Sequence, residues 1–281
     1  MPNLRVIHQN LADTATIGAD STAGTYVASN MQTDLKSQFH RSLSTTVTYT
    51  LTWATNQTIS AVVLPCTNLT ATATIAVKLQ SSSDNITFTD IPGATQAATT
   101  AAGSTQIAQF SSPTGNLFAY GAVTKTAHWF SQPYTNVKRV VITLVDTAQS
   151  AAGMPGFIDC SRIICGHYWS PQYNADRSGL VLTVSDTSTT SRTDAGDLIA
   201  EQGFVYDQLQ LNLGVMVDSD RDTLLGITRR RGVSQNILIS VFPDNRTANE
   251  LAYLVYGKRS NSSINYILPG FTSTSLEITG W

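Results

Sequence analysis

The chain has 281 residues, of which 42% are hydrophobic and only 13% charged, with a formal net charge of -2 and a pI near 6.0. That length buries a sizeable core without staples, in one large domain or two ordinary ones. The charge balance excludes a phosphate-neutralising nucleic-acid binder, and no apolar run is long enough to insert into a membrane as a spanning helix.

Residues 1–20 read as an N-terminal arm whose apolar Leu4, Val6 and Ile7 can add an edge strand to something larger. No basic start followed by an apolar run precedes Asp20, so the expectation is synthesis in a cytoplasm. From Thr45 to Trp53 the alternation is regular, with Val47, Tyr49, Leu51 and Trp53 on one face and threonines on the other, which predicts a half-buried strand. Ile59 to Leu64 predicts a shorter, more apolar strand closed by Pro65, and Thr74 to Leu79 another. Ala94 to Ser112 has no clear period and reads as a long loop or weak edge strands. His128 to Phe130, Val137 to Val145 and Phe157 to Cys165 predict further strands, separated by Pro133 and by residues 151–156. Short strands at such intervals predict a jelly-roll-like β-sandwich over residues 21–172.

In residues 173–281, strands are expected at Leu180 to Val184, Phe204 to Leu213, Asn236 to Phe242, Leu251 to Tyr256, Ile264 to Leu268 and Ser275 to Thr279. One helix is predicted from Ser219 to Arg231, capped by Asp218 or Ser219, with Asp220 and Asp222 in its positive first turn. Arg229, Arg230 and Arg231 sit at its negative end and Gly232 closes it. The fold class is therefore mainly β: a sandwich followed by a smaller β-sandwich or barrel flanked by one α-helix at residues 219–231.

Chemistry-bearing patterns are sparse. Asp218, Asp220 and Asp222 resemble the opening of a calcium loop, but Thr223 and Arg229 replace the turn glycine and the bidentate glutamate, so helix capping explains them better. Cys66, Cys160 and Cys165 have no companion His or Cys at metal spacing and read as small buried hydrophobes. No nucleophile elbow or Gly-rich phosphate loop is present, and Asp159, Asp176, Asp186 and Asp194 are candidates for a carboxylate pair only as in any chain, so no enzymatic activity, catalytic residue, metal or cofactor is expected. Tyr168 and Trp169 precede Pro171 and read as packing at a domain boundary. With Trp129 and Tyr173 they are the rings that could instead stack on a sugar.

Ala28-Ser29-Asn30-Met31, Arg41-Ser42, the Thr-rich strand to Trp53, Ile59 to Leu64 and Asn68-Leu69-Thr70 resemble a discoidin-type sandwich (coagulation factor 5/8 C-like). Arg139 to Leu144 and Ile163 to Gly166 are similar to its final strands. That resemblance implies glycan or lipid binding by loops, although no family ligand residue maps onto this sequence. In residues 173–281 the order of helix and following strand is similar to the ring-forming fold of tail-tube, distal-tail and related tail-tip proteins of tailed bacteriophages. The resemblance implies a baseplate or tail-tip structural protein of the virion, assembled in the host cytoplasm as a homo-oligomer, a sixfold ring joining the tail tube to the hub or fibres. Leu4, Val6, Ile7 and Arg229 to Arg231 are then candidates for contacts between subunits. The alternatives are a virion module that binds host-surface glycans through Trp129, Tyr168, Trp169, Tyr173 or the long Ala94 to Ser112 loop, and a collar or capsid decoration protein.

Overall fold

The computed structural model describes residues 3–100, 118, 123–243, 248–260 and 263–281. In chain order the first strands are β1 (Arg5–Ile7), β2 (Thr16–Ala19), β3 (His40–Arg41) and β4 (Thr46–Thr67). They are followed by β5 (Thr74–Ser81), β6 (Thr89–Thr100), β7 (Thr124–Val145) and β8 (Asp159–Gly166). The second half holds β9 (Val181–Asp186), β10 (Thr189–Arg192), β11 (Leu198–Glu201), β12 (Val205–Val217), α1 (Asp218–Arg231) and β13 (Asn236–Ser240). It closes with α2 (Ala248–Ala252), β14 (Leu254–Arg259), β15 (Ile264–Leu268) and β16 (Phe271–Gly280). The fold is mainly β, as expected, and the described residues form two seven-stranded antiparallel sheets and a separate ribbon of β10 and β11.

The first sheet is ordered β3-β8-β4-β7-β5-β6, with β2 beside β4. The predicted strands at Thr45 to Trp53 and Ile59 to Leu64 are one strand, β4, and those at His128 and Val137 are one strand, β7. The register between β4 and β7 is irregular from Thr52 to Ala61, and the exposed residues Ala54, Thr55 and Asn56 mark a bend. There the ribbon folds over, so Val47, Leu51, Ile142 and Leu144 of one half share a core with Val62, Leu64, Ile163 and Cys165. Pro65 and Pro133 do not end their strands because each falls where the ladder already slips, and a bulge asks for no N–H from the residue it holds. Of the loop predicted from Ala94 to Ser112, the part up to Thr100 belongs to β6; residues 101–112 lie outside the described residues.

The second sheet runs β1-β13-β14-β16-β12-β9, with β15 beside β16. Its first strand comes from the N-terminus, so residues 1–20 are not a free arm: β1 pairs with β13 and β2 with β4. The side chains of Leu4, Val6 and Ile7, expected to meet neighbours, are at most 2% exposed inside this chain. Helix α1 starts one residue earlier than expected and has no side-chain cap; Asp218 and Asp220 complement its first turn by charge alone. Leu224 and Ile227 are buried, and Leu224 belongs to the same core as Leu211, Leu213 and Ile239 of the sheet. Gly232 closes the helix as predicted, at φ 58° with its N–H on the Thr228 carbonyl. A second, five-residue helix, α2, stands where a strand was expected to begin at Leu251.

The two sheets pack face to face. Alternate residues of β4 leave the sandwich core and point the other way, so Ala61 and Val63 meet Leu238, Leu254 and Tyr256 of the second sheet, together with Ala127 and Ile164. Two-sided burial is why Ile59 to Leu64 reads as a continuous apolar run instead of an alternating one.

Candidate functional site

The seam between the sheets carries its own polar ties. Arg162 of β8 is 1% exposed and reaches Asp13 at 2.7 Å, Asp34 at 2.9 Å and the Tyr256 hydroxyl at 3.2 Å. Tyr256 in turn donates to Asp34 at 2.5 Å. Burial pushes the Tyr256 hydroxyl pKa above its ordinary range, against the pull of Arg162, so it stays a neutral donor. Lys125 pairs with Asp207 at 2.7 Å and donates to the Leu254 carbonyl, and the Trp129 indole donates to Glu250.

Beside these ties the seam opens into a cavity of about 310 Å³. Its walls are largely apolar, with Leu182 and Val184 from β9, Val205 from β12, and Leu251, Val255 and Trp281 opposite. Lys36 stands in the same lining, its Nζ 6.0 Å from the Trp281 ring centroid. Desolvation lowers the Lys36 pKa. Among the described residues no carboxylate is in ion-pair contact with it; Asp207, in contact with Lys125, offsets part of the shift from farther away.

From this cleft β9 and β12 run on as a long hairpin. Their ladder ends at Asp186 opposite Val205, and β10 and β11 resume it from Thr189 opposite Glu201 to Arg192 opposite Leu198. The joint is ordered: Thr187 N–H donates to the Phe204 carbonyl at 3.0 Å, Phe204 N–H to Thr187 Oγ1 at 2.7 Å, and Gly203 N–H to Ser188 Oγ at 2.9 Å. A Cβ on Gly203 would stand 2.4 Å from the Thr187 carbonyl carbon, so only glycine fits this crossing. Every residue of β10 and β11 is exposed, including Leu198 at 64% and Ile199 at 53%. Adjacent residues point to opposite sides of a strand, so the arm puts one large apolar side chain on each face. At the far end of β12, β15 exposes Tyr266, Ile267 and Leu268.

The four candidate sugar-stacking rings do not meet in one platform. Trp129 and Tyr168 stand edge to face at 5.7 Å and share the Arg5 guanidinium, which lies 4.4 Å from the Tyr168 ring centroid and 5.1 Å from that of Trp129. Trp169 exchanges both backbone hydrogen bonds with Val6 and packs against the second core. Tyr173 is 44% exposed. Arg229 and Arg230 face solvent, while Arg231 binds Gln235 at 2.6 Å.

Other chemistry-bearing groups are held structurally. Asp218 and Asp222 both pair with Arg221, and Asp220 turns inward to accept the Gln172 N–H at 2.8 Å. The three thiols are free and buried; burial raises the Cys66 pKa to about 12 and the other two further. Ser60 Oγ meets His167 Nδ1 at 3.2 Å, but Ser60 is fully buried and its oxygen already accepts the Tyr168 N–H.

A cluster that the sequence did not signal sits at the loop end of the sandwich. Arg41 forks onto Asp159 with two hydrogen bonds of 2.8 Å. Its guanidinium lies 3.8 Å from the Phe157 ring centroid and 5.0 Å from that of Tyr26, and Tyr26 stacks on Phe39 at 4.9 Å.

No family model matches the chain, and no curated protein matches it. Among solved structures, a chitosan-binding module of a Paenibacillus sp. IK-5 chitosanase/glucanase is similar, with 17% identity over 57% of this chain and all of that one, at a TM-score of 0.37. A Streptococcus pneumoniae fucose binding module matches 57% of the chain and 99% of its own at 10% identity and a TM-score of 0.34. A Ruminococcus gnavus GH29 fucosidase matches at 13% identity and a TM-score of 0.40, covering 59% of this chain and 28% of that enzyme.

Proposed function

We propose that this protein is a non-catalytic assembly subunit, and that its place is the tail tip or baseplate of a tailed bacteriophage. One observation carries the assembly reading: the arm of β10 and β11 leaves Leu198 and Ile199 in water with no core of its own. An isolated two-stranded hairpin is marginally stable, and an exposed apolar edge invites another chain. The second exposed patch, on β15, stands at the other end of β12 across a strand of 13 residues, roughly 40 Å away at the usual rise. Different patches at opposite ends suit head-to-tail contacts, which close into rings or run on as filaments. The phage placement draws on element order in residues 173–281 and on the low charge. Light scattering of the purified chain over a concentration series tests assembly; a mass fixed at the monomer value rules it out. Mass spectrometry of virions tests the placement.

A second reading, glycan binding by the sandwich, is favoured by the half-buried Tyr26 and Phe157 rings on either side of the buried Arg41. Two of the solved structures named above are a chitosan-binding and a fucose-binding module by their own descriptions, and the third is a fucosidase. A glycan array on the native chain and on Tyr26→Ala decides it: hits lost in the variant support this reading, and an empty array removes it.

A further inference from the structure

The assembly reading leaves open what the arm docks against. The geometry points to the cleft at the base of the same hairpin in a second copy of this chain, with the arm tip of one copy seated between the two sheets of the next. This inference deepens the assembly reading and rests on it.

Three observations converge. The first is reach. Eight residues separate the last β9 pair at Asp186 from the turn at Asp194, which carries the tip roughly 25 Å beyond the sheet. The hydrogen-bonded joint at Thr187 and Gly203 keeps the arm from folding back onto its own base, so the cleft it fills belongs to another molecule. The second is polarity. The tip offers Leu198 and Ile199 with water on both faces, and the cleft offers Val184, 64% exposed, beside Leu182, Val205 and Leu251. The third is charge. The tip and its flank carry Asp194, Asp197 and Glu201 against the single Arg192, and Arg192 already spends its guanidinium on the Gly196 carbonyl at 2.9 Å. The cleft holds Lys36 and the paired Lys125 and Asp207, which leaves its lining one positive charge in excess. An acidic, apolar tip complements a cationic, apolar cleft.

Donor and acceptor surfaces differ, so each copy gives its arm to one neighbour and receives one from another. Occupation also stabilises both parts: the arm gains a core, and Lys36 gains a close carboxylate where burial has stripped part of its hydration.

Sedimentation of the full chain with charge-exchanged variants tests this. Lys36→Glu alone, or Asp194→Lys with Asp197→Lys alone, weakens association by about tenfold or more, the scale of close charge pairs across interfaces. Combining all three exchanges restores it. Thermal unfolding of each variant checks that the fold survives. Cross-linking gives a second readout independent of charge: Leu198→Cys mixed with Val184→Cys forms a disulfide-linked mixed pair, while the native thiols stay buried. Association that is unchanged in every charge variant, with no mixed disulfide, overturns the docking but leaves assembly standing, with β15 as its surface and the cleft open to a small anionic ligand. A wild-type chain that stays monomeric at all concentrations overturns both readings.

Discussion

The two edges of the second sheet are treated in opposite ways. At one edge, the N-terminus supplies β1, three residues long, and the main chain of Trp169 covers its outer side through both hydrogen bonds to Val6. At the other, β9 is uncovered and its hairpin extends into water as the arm. A sheet that protects one edge with a short, buried strand and lengthens the other has no general difficulty with edges. On the assembly reading proposed above, the β9 side is the surface for a partner and the β1 side, with the seam behind it, is scaffold. Substitutions on the scaffold side should then cost folding stability, and substitutions on the arm should cost association alone.

The largest effect is expected at Arg162, which joins β8 to Tyr256 of the second sheet and to Asp13 and Asp34. Arg162→Ala should destabilise the chain by about 3 kcal/mol in chemical denaturation, the low end for a broken buried ion pair, because both carboxylates are partly exposed and rehydrate. Arg162→Met, which keeps the packing, should recover part of the loss. Tyr256→Phe, removing one hydroxyl from the same network, should cost about 1 kcal/mol. If neither change moves the denaturation midpoint, the seam is not the scaffold that the contrast requires.

Acid probes the scaffold without a substitution. His40 is fully buried, its ring nitrogens meeting the Tyr49 hydroxyl at 3.0 Å and the Ser21 carbonyl at 2.9 Å. Burial lowers its pKa from the ordinary 6.5, only partly offset by the Ser21 carbonyl and Asp20. His8 shifts the same way through burial and then Arg231, Arg230 and His167. Below pH 6.5 the unfolded chain therefore takes up protons that the folded chain resists. Stability is fully present above that pH and falls as the pH drops beneath it. A thermal-melt series should show this slope, shallower in His40→Gln because one of the two contributions is gone.

The same contrast separates what was legible in the sequence from what was not. The first half of β4 was legible because threonines alternate with Val47, Tyr49, Leu51 and Trp53 on a half-buried face. Its second half was legible as strand, but the partner of its outer face was not, since a run buried on both sides names neither neighbour. The sequence divided β4 into two strands because the period breaks after Trp53, although the chain continues through the bend at Ala54 to Asn56 as one strand. β1 could be seen as an apolar strand, while its partner, more than 230 residues away at Leu238 to Ser240, leaves no local trace. The arm was missed altogether: residues 187–203 are mostly Thr, Ser, Asp and Gly, with only Leu198 and Ile199 large and apolar. It exists as structure because the β9 and β12 ladder carries on into it. The cleft was equally hidden, since its walls come from both sheets and Lys36 lies far in sequence from every strand that lines it.

The smallest effect on folding is expected where the effect on assembly is greatest. Leu198→Ser with Ile199→Ser removes two side chains that touch no core, so monomer stability should stay within about 0.5 kcal/mol of the parent, the range of surface changes. Association should nevertheless collapse, because those two side chains are the arm's apolar contribution to any interface and serines in their place keep the ribbon's backbone hydrogen bonds. Denaturation and sedimentation on one preparation separate the two quantities. A pair of serines that lowered the unfolding midpoint as much as Tyr256→Phe would mean that the arm packs on its own chain, and the open edge would then be scaffold too.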